Sequence, residues 1–269
     1  MLRRTLGLVG SSLIATVALA DPSVTVSVGS SQDGAAVVAG TPIDWSISFT
    51  VSTGDNEGLS LLSVDFAQAL ANPALFDIPS GTGIPAGMTN FARPLGVSNP
   101  GVGGYRGTQI GTAGQRNLVQ IGGGQNTFGT ALNPGAGVAE SANVIAGVGQ
   151  SGPQLLATGT FNAPGPCGTY TFSISNALAT VLTDRNDAPA VSTVLRITPT
   201  ISDASFSLLV TLAGDLDGDR DVDLSDLSRL LANFGVSGGA TRAQGDINGD
   251  GDVDLSDLSG LLAQFGANC

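Results

Sequence analysis

The sequence predicts a mainly β protein, an antiparallel β-sandwich or jelly roll followed by a small all-α module of two acidic loop–helix motifs. Three observations predict it. Short runs of alternating apolar and polar residues recur from about 21 to 210. Clusters of Gly, Pro and Asn punctuate those runs, as in "ALNPGAG" and "NAPGPCG". At Gly214 the composition then changes abruptly, and 11 of the chain's Asp residues fall between 215 and 257. Period-two alternation means one buried and one wet face. Many short strands with frequent turn signals form a sandwich or barrel.

The first twenty residues carry Arg3 and Arg4, an apolar stretch, and Ala18-Leu19-Ala20 before Asp21. That is the pattern of a secretory signal peptide. The expected location is therefore outside the cell or at its surface. No later run approaches the roughly 20 apolar residues that a membrane-spanning helix needs. The expected division is a signal peptide over 1–20, a β-sandwich over 21–212 and the acidic module over 213–269.

The net charge is −12 and every basic residue is Arg. This excess of acid argues against nucleic acid or an anionic membrane as a partner and suits a cation. Cys167 and Cys269 remain as the only cysteines. Export permits a disulfide between them. Sequence does not give the pairing, so free or intermolecular thiols stay open.

"SVTVSV" alternates Val24, Val26 and Val28 with small polar residues. "DWSISFTV" sets Trp45, Ile47, Phe49 and Val51 on one face, and "TYTFSIS" does the same with Tyr170, Phe172 and Ile174. "NLVQIG", "LLATGTF", "STVLRIT" and "SFSLLVTL" are further expected strands. The glycine-rich stretch 98–150 reads as long loops or loosely packed strands, with a helical turn expected near "ESANVIAGVG".

The acidic module is a duplication. Residues 214–235 and 245–266 are 31 apart and match at 17 of 22 positions. A calcium loop draws ligands from positions 1, 3, 5, 7, 9 and 12. In the first repeat these are Asp215, Asp217, Asp219, Asp221, Asp223 and Asp226; in the second they are Asp246, Asn248, Asp250, Asp252, Asp254 and Asp257. Calcium is a hard cation taking six to eight oxygens, which such a loop can largely supply. Two Ca²⁺ ions are therefore expected. Position 7 normally gives its carbonyl, so the side chains of Asp221 and Asp252 are expected to face solvent.

Gly251 occupies position 6, where the loop turns sharply, but the first loop has Arg220 there. A left-handed arginine costs about 1 kcal/mol, which predicts a weaker first site. Ser225 and Ser256 are expected helix N-caps. Leu227, Leu230, Leu231 and Phe234 recur at helical spacing, as do Leu258, Leu261, Leu262 and Phe265. Those residues are expected to pack the two helices together, with Gly235 and Gly266 ending them. Val222 and Val253 are expected to pair the loops through a short β-bridge.

A loop followed by one helix, duplicated and lacking the incoming helices, resembles the type I dockerin family. The resemblance covers about 55 residues. It implies a calcium-folded adhesion module that docks onto a cohesin-like domain or another extracellular protein, commonly in polysaccharide catabolism. The chain departs from the cellulosomal pattern by placing Leu224 and Ser225, then Leu255 and Ser256, where those members carry a Ser/Thr pair. The large domain is only loosely like cohesins or carbohydrate-binding sandwiches.

The absence of His and Lys removes Ser-His-Asp, Cys-His and Schiff-base chemistry. A glycosidase-type carboxylate pair is conceivable among Asp44, Asp55, Asp65, Asp77, Asp184, Asp187 and Asp203, yet no motif selects one. "TDRNDAP" at 183–189 reads as a strand connection. For sugar stacking, Trp45 reads as core and Tyr105 as the better exposed candidate. The leading expectation is a secreted, non-catalytic binding protein associated with polysaccharide. The alternatives are a glycoside hydrolase with an accessory dockerin and a surface-layer or scaffold protein.

Overall fold

The computed structural model describes residues 21–91, 105–125, 144–184 and 193–269. The expected signal peptide, residues 98–104 and 126–143 of the glycine-rich stretch, and residues 185–189 of "TDRNDAP" lie outside them. Residues 144–149 form bends and turns rather than helix.

Among the described residues, eleven strands and two α-helices follow in order. The strands are β1 (Val24–Gly29), β2 (Ala36–Val38), β3 (Pro42–Val51), β4 (Leu59–Gln68), β5 (Arg106–Ile110), β6 (Asn117–Gly124), β7 (Gln154–Asn162), β8 (Gly168–Asp184), β9 (Thr193–Ile197), β10 (Thr200–Ile201) and β11 (Ser205–Thr211). The helices are α1 (Leu224–Ala232) and α2 (Leu255–Gln264). One sheet has the order β10-β1-β3-β7; the other runs β2-β11-β8-β4-β6-β5, with β9 against β8. The pairing is antiparallel except for two short parallel ladders, β1 with β10 and β2 with β11.

The alternation dictates which side chains meet between the sheets. Ile43, Trp45, Ile47, Phe49 and Val51 of β3 point inward, as do Val24, Val26 and Val28 of β1. From the opposite sheet come Phe66, Tyr170, Phe172 and Phe206. Trp45 meets Phe66 at 4.9 Å between ring centroids, and Phe161 meets Phe172 at 4.7 Å. Phe172 and Phe206 stack at 5.3 Å. These rings join both sheets into one core, the arrangement that tilted and offset aromatic pairs favour.

A second, separate apolar cluster belongs to the tail: Leu216, Val222, Leu230, Val253 and Leu261, flanked by Leu212, Leu227, Ala240, Ile247 and Leu258. Two features tie the tail to the sandwich. Arg242 donates to the Leu212 carbonyl and to Thr211 Oγ1, and to the junction carbonyls of Ala213 and Asp215. Cys167, between β7 and β8, is bonded to Cys269, with Cα atoms 5.8 Å apart.

Gly159 of β7 pairs with Trp45, and a Cβ there would lie within 2.7 Å of Trp45 Nε1. Overpacking of this kind costs about 1–3 kcal/mol. Gly159→Ala should therefore lower the midpoint of thermal unfolding measured by near-UV CD, and an unchanged midpoint would contradict this packing.

Candidate metal centre

Each acidic loop folds around its first and last carboxylates. Asp215 Oδ1 accepts from Gly218 N at 2.7 Å and Oδ2 from Arg220 N at 3.1 Å. Asp246 repeats this with Gly249 N at 2.8 Å and Gly251 N at 3.0 Å. Asp226 Oδ1 accepts from Leu216 N at 2.7 Å and Asp217 N at 3.2 Å, and its Oδ2 accepts from Asp223 N at 2.8 Å. Asp257 does the same with Ile247, Asn248 and Asp254. Asp226 and Asp257 are both 0 % exposed.

Between these anchors the odd positions step round the loop. Asp219 N donates to Asp217 Oδ1, and Asp221 N to Asp219 Oδ1. In the second loop Asp250 N donates to Asn248 Oδ1, and Asp252 N to Asp250 Oδ1. The even positions supply the turns. Gly218 and Gly249 are left-handed, and at position 6 so are Gly251 (φ +91°) and Arg220 (φ +81°). The left-handed arginine expected from sequence is present.

The result in the first loop is two carboxylate groups, Asp215–Asp217–Asp219 and Asp221–Asp223–Asp226, whose ligand oxygens within each group lie within 4.8 Å of one another. Either could hold a metal ion. Among the described residues the salt bridge is Arg116–Asp77; Arg242 feels the charge of Asp215 but donates to its carbonyl rather than its carboxylate. Loss of hydration, with the charges of neighbouring acids, pushes Asp217 and Asp221 upward from the usual carboxylate range. Burial also pushes Asp257 up, but the backbone N–H groups of Asp254, Asn248 and Ile247 hold it below that range. Asp221 Oδ1 is buried with no hydrogen-bond partner. A donor set made only of oxygens, with a buried carboxylate atom left over, fits a hard cation such as Ca²⁺ and does not fit soft or imidazole-seeking metals.

Several local expectations are corrected. The side chains at position 7 are half-buried rather than turned fully to solvent: Asp221 Oδ1 is buried, and Asp252 Oδ1 accepts from Gly238 N at 2.7 Å. The N-caps are Asp223 and Asp254, two residues before the serines, each in a capping box closed by Asp226 or Asp257. An aspartate at position 9 is already extended and faces the free amides of the first turn, so it pre-empts the serine.

Val222 and Val253 do not bridge each other. Val222 N donates to Ala267 O and its carbonyl accepts from Gly266 N; Val253 makes the same pair with Val236 O and Gly235 N. Each loop is thus paired with the segment leaving the other repeat's helix. Gly235 (φ +88°) and Gly266 (φ +82°) turn the chain into that crossing. Both valines are fully buried. The helices bury only part of their predicted stripe: Leu230 and Leu261 are covered, while Leu231, Phe234, Leu262 and Phe265 are exposed. Leu224 and Leu255 are the most open, at 68 % and 71 %.

The sandwich offers no comparable constellation among its described residues. Asp44 accepts from Ser31, Asp55 from Ser52 and Asn56, Asp65 from Gln120 N and Asn176 Nδ2, and Asp77 from Arg116. Glu57 Oε2 is buried without a hydrogen-bond partner. Tyr105 is not an exposed stacking platform: it is buried, and its hydroxyl donates to Leu156 O at 2.7 Å. Gly107 and the β5 strand that follow Tyr105 draw the ring into the core. Trp45 is core, as expected.

No protein-family model matches the chain, and no curated protein matches it. Several solved chains resemble it, including these two. One is the seventh ScaB type I cohesin of Pseudobacteroides cellulosolvens, at 12 % identity and a TM-score of 0.39, covering 70 % of this chain and 92 % of that one. The other is the CaDoc0917–CaCohA2 complex at pH 5.5, at 12 % identity and a TM-score of 0.31, covering 70 % and 100 %. No helix among the described residues is long and apolar enough to cross a membrane.

The left-handed Arg220 gives a direct test of the loop geometry. Arg220→Gly should stabilise the tail by about 1 kcal/mol, read as a rise in the urea midpoint of its helical CD signal. A fall in the midpoint would contradict the assigned backbone.

Proposed function

We propose that the chain is a secreted, non-catalytic adhesion protein whose C-terminal module, 213–269, is a calcium-folded tail of the type I dockerin kind. The observation that carries this reading is the pair of fully buried carboxylates, Asp226 and Asp257, each wrapped by three backbone N–H groups and partnered by no arginine. A buried carboxylate without a counter-charge is costly, and a cation at the centre of each loop removes that cost.

Asp215, Asp217, Asp219, Asp223 and Asp226 would hold the first ion with the Asp221 carbonyl. Asp246, Asn248, Asp250, Asp254 and Asp257 would hold the second with the Asp252 carbonyl. The ion supplies charge neutralisation and part of the folding free energy of the module. The sandwich, over 21–212, serves as the body that the tail anchors. Asp44, Asp55, Asp65 and Asp77 are taken up in structural hydrogen bonds, which favours this reading over a glycosidase.

The tail's partner is a cohesin-like sandwich on another extracellular protein. The exposed apolar residues Leu224, Leu231 and Phe234, repeated as Leu255, Leu262 and Phe265, offer the contact surface. An association with polysaccharide would come through that partner, since Trp45, Tyr105 and Tyr170 are all buried.

Two experiments test the reading. Chelation of calcium should abolish the helical CD of the tail, with recovery on adding Ca²⁺; CD that is unchanged in excess chelator contradicts it. Asp257→Ala should remove one of two binding steps in a calorimetric Ca²⁺ titration and leave the other. For docking, Leu224→Asp combined with Leu255→Asp should abolish capture by an immobilised cohesin domain while calcium binding persists.

A further inference from the structure

The two loops are closed by the same hydrogen bonds but held by different anchors. Beside the second loop runs 235–240: Gly235 N donates to Val253 O, Val253 N to Val236 O, and Ala240 N to Gly251 O. That segment has further anchors of its own. Gly238 N is bonded to Asp252, Ala240 packs on the tail cluster, and Arg242 follows on the carbonyls of the sandwich junction.

Beside the first loop runs 266–269. Gly266 N donates to Val222 O, Val222 N to Ala267 O, and Cys269 N to Arg220 O at 2.8 Å, with a β-bridge between Asp221 and Asn268. This segment buries no apolar side chain, since Gly266, Asn268 and Cys269 are exposed and Ala267 is only half-buried. What holds it is the bond from Cys269 to Cys167 on the sandwich. It also clamps the one loop whose position 6 is a left-handed arginine rather than a glycine.

We propose that the Cys167–Cys269 disulfide sets the cation affinity of the first loop, so that this site responds to redox conditions while the second does not. This rests on the calcium reading above. With the disulfide intact, residues 266–269 are pinned beside Arg220, Asp221 and Val222, and the loop is preorganised to receive the ion. On reduction the segment gains conformational freedom, its hydrogen bonds to residues 220–222 open, and binding must re-order both strands. The second loop keeps its own anchors and is unaffected.

The test is a calorimetric Ca²⁺ titration of the full-length mature protein, oxidised and after reduction with dithiothreitol and alkylation. Asp257→Ala isolates the first site, and Asp226→Ala isolates the second. Reduction should weaken the first site about tenfold and change the second less than about twofold. The Cys167→Ser, Cys269→Ser double variant with both loops natural should show the same selective weakening without reductant. Redox-independent affinity at the first site, or an equal fall at both sites, overturns the inference and leaves the calcium reading standing. Absence of Ca²⁺ binding by the oxidised natural protein overturns both.

Discussion

Two carboxylates without exposed surface, Asp226 and Asp257, organise the tail. Each accepts three backbone N–H groups from its own loop. Those bonds bend positions 2, 3 and 9 towards position 12 and close the loop on itself. Withdrawing a carboxylate from water costs several kcal/mol even when hydrogen-bonded. The tail core has five buried apolar side chains, too small a cluster to carry two such charges with ease. The loops, the helix caps and the small core are consequently one cooperative unit. The same aspartate that closes each loop also completes the capping box of the helix that follows.

Duplication then gives the module its internal support. Each helix ends in a left-handed glycine that sends the chain across to pair with the other repeat's position-8 valine. Neither half is complete by itself, because Val222 and Val253 are each held by backbone from the opposite repeat. The crossing also explains why only half of each leucine stripe is buried. Leu230 and Leu261 face the shared core, and Leu224, Leu231, Leu255 and Leu262 are left outside it. Under the proposed function, that exposed and repeated surface is what a partner sandwich covers.

Much of this was legible in the sequence where a residue's spacing permits one geometry. The loop positions, the left-handed Arg220 and the inward face of β3 all followed from period and residue type. What sequence hid was competition between neighbours. Asp223 and Ser225 can both cap a helix, and only the extended backbone at position 9 decides between them. The valines at position 8 read as partners because they are equivalent, yet the left-handed glycines redirect them. β4 passed unnoticed although Leu62, Val64 and Phe66 alternate. Ser60 and Gln68 on its buried face and Leu61 on its outer face blur the polarity pattern, and bulges on both flanks set Asp65 against the left-handed Gln120 and Asn176. Tyr105 looked exposed because it sits among glycines, but its ring is buried, and Gly107, where a Cβ would lie 2.7 Å from Ile121 Cγ1, lets β5 lie close on β6.

On the proposed function, a hard cation completes each loop. Native mass spectrometry of the mature, disulfide-intact protein, exchanged from calcium-containing into volatile buffer, counts the ions directly. Two bound calcium ions are expected for the natural chain and one for each single-site variant. A natural chain that carries none under conditions that preserve its fold would contradict the proposal.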